Sequence, residues 1–149
     1  MACFSSCMRI LLAAAVATAF LIVLFVQPPV AVGGAYVEAV PPDLALVGFT
    51  ISNWGLKEVC VVGVEAPPGL QAELHVTEFN GTLAVMRPVD RICVAPFSTV
   101  RFGSLTYHVM MVGNISLIKE TVRLDLSLSD GRKITITATR GTGGIHIHK

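Results

Sequence analysis

Val122-Arg123-Leu124-Asp125-Leu126-Ser127-Leu128-Ser129 alternates apolar and polar side chains without a break. This period of two predicts a strand with one buried side and one solvent-facing side. Asp130-Gly131, a dipeptide that favours a tight hairpin turn, follows directly, and Lys133–Thr139 then alternates again. The segment therefore predicts an antiparallel hairpin and indicates the fold class of the rest of the chain.

Further strand candidates precede this hairpin, separated by turn sequences such as Pro67-Pro68-Gly69, Asn80-Gly81 and Ala95-Pro96. The candidates are Leu44–Ser52, Glu58–Glu65, Gln71–Phe79, Thr82–Arg87, Arg91–Val94, Thr99–Phe102 and Tyr107–Val112. No segment after residue 35 shows a convincing helical period. Seven to nine short strands in about a hundred residues are typical of a sandwich. We therefore expect an all-β fold, an antiparallel, immunoglobulin-like β-sandwich.

Residues 1–35 differ in composition from the rest. Arg9 is their only charged residue, Ile10–Val26 is apolar apart from Thr18, and Gln27-Pro28-Pro29 ends the run. A positive start, an apolar stretch and small residues after it describe a secretory signal peptide. The length of the stretch also suits an uncleaved membrane anchor. Either interpretation places the remainder of the chain outside the cytoplasm, in the periplasm or at the cell surface. After this segment we expect a sandwich domain at 36–141 and a flexible tail at 142–149.

The charge balance excludes some classes of function. The 149 residues include 11 Lys and Arg and 10 Asp and Glu, with no basic run. Nucleic acid is therefore not expected as a partner, and membrane contact is expected only through the N-terminal segment. The sequence shows no nucleophile–base pairing, no paired acids in a motif and no cofactor loop, so we do not expect an enzyme.

Histidine and methionine are few after residue 35, and most of them fall into one pattern. His75 is followed after ten residues by Met86, and after twenty-one more by His108-Val109-Met110-Met111. Alternate residues of a strand share a face, so His108 and Met110 project together while Met111 points the other way. Neutral thioether and imidazole donors favour Cu(I) over harder ions. These residues predict a copper site with two sulfur and two nitrogen ligands.

The alternative is that these side chains have ordinary structural roles. A methionine in a strand is more often a packing residue, which we expect for Met111. A histidine in a sandwich is usually a surface or hydrogen-bonded residue. We expect His75 to lie on the face opposite Leu74, away from the apolar side. Only the spacing of the whole set favours a metal.

The spacing His-x10-Met-x21-His-x-Met resembles the signature of the periplasmic copper chaperone family that delivers copper to the CuA centre of cytochrome c oxidase. The resemblance extends to Gly48–Gly55, to Gly81–Val89 with its Met-Arg-Pro-Val stretch, and to Tyr107–Gly113, and covers about residues 44–140. It implies a cupredoxin-like β-sandwich and a CuA-bearing oxidase subunit as the copper-accepting partner. The implied Cu(I) ligands are His75, Met86, His108 and Met110.

The chain departs from the family pattern in its loops. Val76 stands where many relatives have methionine, Gly103–Thr106 replaces a glycine-rich turn, and Ser116–Thr121 lacks an expected glycine. These departures affect the loops around the metal and not the ligand set. Some relatives carry a histidine- or methionine-rich extension, which would give His146 and His148 a role in binding Cu(II). The alternative is a frayed terminus with incidental histidines.

The chain has four cysteines. Cys3 and Cys7 belong to the N-terminal segment. Cys60 and Cys93 form an even pair in an oxidising compartment, which favours a disulfide. Two buried reduced thiols on neighbouring strands are the alternative.

Two further function classes compete with a copper carrier. An electron-transfer cupredoxin needs a cysteine ligand a few residues before its last histidine and methionine. Cys93 lies fifteen positions before His108, so the spacing does not fit. A metal-free extracytoplasmic module that uses the sandwich only as an interaction scaffold is the other candidate.

Overall fold

The computed structural model describes residues 8–18 and 30–141. Residues 8–18 are helical, and no helix among the described residues has the length and apolar character needed to cross a bilayer. The rest of the N-terminal segment, with Cys3 and Cys7, and the tail, with His146 and His148, lie outside the described residues.

Ten strands follow the N-terminal segment. They are β1 (Val30–Val40), β2 (Leu44–Asn53), β3 (Val59–Glu65), β4 (Leu70–Asn80), β5 (Leu83–Pro88), β6 (Ile92–Val94), β7 (Ser98–Arg101), β8 (Tyr107–Gly113), β9 (Thr121–Leu128) and β10 (Lys133–Arg140). Nine of these agree with the predicted strands to within one or two residues.

The strands form one continuous sheet in the order β5-β4-β8-β2-β1-β10-β9-β3-β6, with β7 paired to β2. Strand pairs are antiparallel except β1 and β10, which run parallel. Both halves of the sheet contribute buried side chains to one core cluster, so the sheet folds over on itself as a sandwich. The predicted all-β sandwich is confirmed.

The first strand, β1, was not among the strands predicted from the sequence. β1 begins at Val30, and residues 30–33 pair with residues 50–53 of β2. The register shifts between Gly33 and Tyr36, which marks a bulge. A bulge interrupts the alternation of faces, so this strand carries no clean period of two in its sequence.

β2 changes its pairing partner halfway along its length. Residues 44–47 pair with β8, whereas residues 50–53 pair with β7. Phe49 marks the change: its ring stacks on Phe102 with centroids 4.1 Å apart. The chain between β7 and β8 therefore leaves the sheet at Gly103–Thr106 and forms a loop beside the start of β8.

Candidate metal centre

Two histidines lie side by side on neighbouring strands near one edge of the sheet. His75 on β4 pairs directly with His108 on β8, and their ring centroids are 5.9 Å apart. Directly paired residues of an antiparallel ladder project to the same face. Leu74 and Val109 pair next to them and project to the opposite face, into the core. The face predicted for His75 is therefore correct.

Both histidines are buried although they project away from the core. The side chain of His75 is only 5% exposed and that of His108 is fully buried.

Each histidine ring uses one nitrogen for a hydrogen bond. Nδ1 of His108 donates to the carbonyl of Thr106 at 3.2 Å, and Nε2 of His75 donates to the carboxylate of Glu73 at 3.3 Å. Both partners are pure acceptors, so each hydrogen bond places the proton on that nitrogen and leaves a lone pair on the other.

The remaining ring nitrogens, Nδ1 of His75 and Nε2 of His108, are buried without a hydrogen-bond partner in the part of the chain that the structure describes. A buried polar atom without a partner is costly and rare. Metal-binding histidines commonly show this division, with one nitrogen held by a carboxylate or carbonyl and the other free to coordinate. The two rings therefore fit a soft or borderline metal ion.

The two predicted methionine ligands flank the histidines on the same face. Met110 pairs opposite Glu73, and Met86 pairs opposite Thr77, so both lie diagonal to His75. Diagonal neighbours are about 7–8 Å apart, within reach of a long side chain. Met86 on the edge strand β5 is 42% exposed. The histidines thus form the buried base of the site, and Met86 lies at its rim.

Met111 lies on the opposite face and is fully buried. It pairs with Ala45 of β2 and Ala72 of β4, two small residues that leave room for its side chain in the core. Its packing role agrees with the expectation from strand alternation.

Glu73 and Thr77 were not singled out from the sequence, although both share the face of His75 by their i±2 spacing. Thr77 is buried and fixes the loop before β8: its backbone N–H donates to the carbonyl of Thr106 at 2.9 Å. Its hydroxyl donates to the carbonyl of Ser104 at 2.7 Å. The carbonyl that orients His108 is therefore itself held by Thr77.

Tyr36 lies close to the same loop. Its ring lies directly over Gly48, where a Cβ atom would meet the ring at 2.3 Å. The hydroxyl end of the ring lies close to Gly103, where a Cβ atom would be 3.2 Å from the oxygen. A side chain at Gly48 would displace Tyr36, so this close approach explains why a glycine stands in the middle of β2.

Burial favours the neutral form of His108. Desolvation lowers its pKa from the usual 6.5, the hydrogen bond to the Thr106 carbonyl partly opposes this shift, and the neighbouring His75 lowers the pKa further. Only the neutral form of imidazole can coordinate a metal. The environment therefore favours the ligating form.

Cys60 and Cys93 are directly paired across β3 and β6 and are joined by a disulfide. The carboxylate of Glu58 lies beside them, and the three donor groups are within 4.8 Å of one another. Neither sulfur is a thiolate while the bond is intact, so this cluster has no free thiolate ligand. It also lies at the end of the strand order opposite β5, β4 and β8.

Comparison with solved structures identifies similar folds. The copper-bound PCuAC domain from PmoF2 matches with a TM-score of 0.62 at 15% identity, covering 76% of this chain and 92% of that domain. The apo PCuAC domain from PmoF1 matches with a TM-score of 0.60 at 15% identity, over 76% of this chain and 94% of that domain. At these identities the likeness shows the fold alone.

A third structure shares more of the sequence. The solution structure of apo-DR1885 from Deinococcus radiodurans is 30% identical, with a TM-score of 0.57, over 80% of this chain and 84% of that one.

A search of curated protein sequences found no significant match. The family profile described as "Putative lipoprotein LpqE-like" matches residues 30–139. Because that range spans nearly the whole sandwich, the chain belongs to the LpqE-like family.

Proposed function

We propose that this protein is an extracytoplasmic copper chaperone that binds one Cu(I) through His75, Met86, His108 and Met110. The observation that carries the proposal is the pair of buried histidines. Each has one ring nitrogen hydrogen-bonded, and the other has no partner among residues 8–18 and 30–141. The two methionines lie on the same face of the same three strands. Copper is the cargo of this protein and not a resident cofactor.

The similar structures support copper as the metal. One PCuAC domain with this fold is described as copper-bound, and the relative at 30% identity was solved in its apo form. Thioether sulfur and neutral imidazole are soft and borderline donors, which suit Cu(I) better than Ca²⁺ or Mg²⁺. Outside the cytoplasm a thioether carrier also avoids the oxidation that disables a thiol carrier.

The arrangement of ligands suggests the order of copper release. Met86 is on an edge strand and is 42% exposed, whereas His108 is fully buried. An incoming ligand of the acceptor can reach the copper from the Met86 side while the histidines still hold it. The proposed sequence is replacement of Met86 first and of the buried imidazoles last.

We infer that the acceptor is the CuA site of a terminal oxidase, on the resemblance of the ligand spacing. The N-terminal apolar segment supports export, as a signal peptide or as an anchor. A family described as lipoproteins is in keeping with a place outside the cytoplasm. His146 and His148 are proposed to bind a second copper, as Cu(II).

Titration of the purified protein with Cu(I) against a competing chelator tests the proposal, with X-ray absorption to identify the ligands. We expect one Cu(I) with mixed sulfur and nitrogen coordination, and transfer to a metal-free CuA domain on mixing. Met86→Leu should weaken binding, while Val85→Leu, a neighbour on the other face of β5, should not. Absence of Cu(I) binding to the folded protein would favour the metal-free interaction module.

A further inference from the structure

The most exposed apolar side chains of the sandwich are not spread evenly over it. In the described residues of the sandwich, six large apolar side chains are 62–83% exposed. They are Trp54, Leu56, Phe79, Leu83, Phe97 and Leu105.

The strand register places most of these side chains at one end. Leu44 of β2 pairs with Val112 of β8, and Val112 also pairs with Gln71 of β4. Because β8 is antiparallel to both of these strands, β2 and β4 run in the same direction. The last residues of β2 are therefore level with the hairpin between β4 and β5 that carries Phe79 and Leu83. Val40, Val112 and Leu117 lie toward the opposite end and are less exposed, at 40–52%.

We call Trp54, Leu56 and Phe97 at this end the entry patch. One buried side chain, that of Asn53, holds together the two segments that carry them. The amide of Asn53 is 1% exposed. Its Nδ2 donates to the carbonyls of Lys57 at 2.8 Å and Val94 at 3.0 Å, and its Oδ1 accepts from the N–H of Gly55 at 2.9 Å. The loop after β2 and the segment after β6 are thus fixed to the same point.

Phe97 adds a second observation. Its φ is 54°, in the left-handed region that bulky residues rarely adopt. The strained backbone carries an aromatic side chain that is largely exposed, so burial in the core does not explain the strain. Strain of this kind is commonly retained where it serves function.

The entry patch is also where the chain enters the domain from its apolar N-terminal segment. Val30 pairs with Asn53, the residue directly before Trp54. Only residues 27–29 separate Val30 from the apolar run that ends at Val26. Four residue steps span at most about 14 Å when fully extended. A membrane that holds the apolar run therefore lies within that distance of the start of β1.

We propose that the entry patch docks onto a lipid bilayer when the N-terminal segment is inserted, and so orients the sandwich with this end on the membrane. Tryptophan and phenylalanine are suited to the headgroup region, and Lys57 in the same loop can contact anionic lipid. This inference goes beyond the proposed copper function and does not depend on it.

Trp54 is the only tryptophan of the chain, so its fluorescence reports on the patch alone. The full-length chain is reconstituted into vesicles of phosphatidylcholine and phosphatidylglycerol, with or without bromine on the upper acyl chain. We expect a blue-shifted emission in both, and a lower intensity in the brominated vesicles than in the unbrominated ones, since tryptophan at the headgroup level lies close to the upper acyl chain. Equal intensity in the two kinds of vesicle would overturn the proposal.

Two variants control the measurement. The double variant Trp54→Phe with Leu117→Trp moves the reporter to the opposite end, and its emission should not be quenched. Equal quenching there would show that no particular end faces the lipid, which contradicts the proposal.

The second variant, Leu56→Asp with Phe97→Asn, removes apolar surface from the entry patch, and asparagine tolerates the positive φ at position 97. This variant should lose most of the Trp54 quenching. A blue shift that depends on protein concentration and not on bromine would identify a second copy of the chain as the occupant instead.

Discussion

Each buried histidine of the site donates from one ring nitrogen, and its other nitrogen has no partner among the residues that the structure describes. This division determines what substitutions of single neighbours should do. Glu73 accepts from His75, whereas Glu78 on the same strand projects to the other face and pairs with Arg87. The two glutamates therefore form a matched pair, one acting on the site and one not.

Glu73→Ala should weaken Cu(I) binding by about 10–100-fold, because His75 loses the acceptor that orients its ring. Glu73→Gln should lose less, since the amide oxygen still accepts from the ring N–H. Glu78→Ala serves as the control and should leave the affinity unchanged. Competition titrations of the three variants check this, and an equal loss in Glu78→Ala would contradict a specific role for Glu73.

Met110 and Met111 are adjacent in sequence but lie on opposite faces. Met110→Leu conserves volume and removes the sulfur, so Cu(I) binding should weaken while the free energy of unfolding changes by under ~1.5 kcal/mol. Met111→Leu should leave copper binding unchanged. Met111→Ala should lower the free energy of unfolding by about 2–5 kcal/mol, because the side chain is fully buried. The prediction fails if Met111→Leu loses copper and Met110→Leu keeps it.

The lowered pKa of His108 makes the stability of the metal-free protein depend on pH. Above about pH 6.5 the imidazole is neutral in both the folded and the unfolded chain and contributes no pH dependence. Below about 6.5 the unfolded chain binds a proton that the folded chain does not, so this group lowers stability as the pH falls. NMR titration of His108 should give a pKa below the usual 6.5; a higher value would contradict the burial argument.

At the scale of elements, the disulfide and the metal site belong to different parts of the sheet. The bond joins β3 to β6, whereas the proposed ligands are on β5, β4 and β8. The bond closes a loop with a sequence separation of 33 residues. Stability and metal binding should therefore respond separately to reduction.

Reduction of the disulfide should lower the free energy of unfolding by about 3–4 kcal/mol in the chain-entropy description. It should leave the Cu(I) affinity unchanged. Intact-mass analysis of freshly isolated protein should show Cys60 and Cys93 without free thiol. Free thiol there, or loss of copper after alkylation of the reduced pair, would contradict the assignment.

At the scale of the whole molecule, the four proposed Cu(I) ligands all lie on strands of the sandwich. Deleting Gly144–Lys149 should leave one Cu(I) bound and abolish only the second copper, bound as Cu(II) by His146 and His148. Copper stoichiometry of the full-length and truncated proteins checks this. Loss of the Cu(I) after truncation would show that the tail contributes ligands to the proposed site.

The sequence alone determined the fold class, nearly all of the strands and the set of candidate ligands. Alternation in residues 122–139 is a local property of the chain, and so is the i, i+2 relation between His108 and Met110. Both were readable because side-chain direction along a regular strand depends only on position. The bulge in β1 broke that regularity, and for this reason this strand was missed.

Only the tertiary structure decided which strands are neighbours and how deeply the site is buried. The pairing of His75 with His108, the capture of the Thr106 carbonyl by Thr77 and the position of Tyr36 over Gly48 all join residues far apart in sequence. Strand order and loop placement follow from packing of the whole sheet around its core, which no local pattern encodes. The unpartnered nitrogens and the entry patch exist only once that packing is complete.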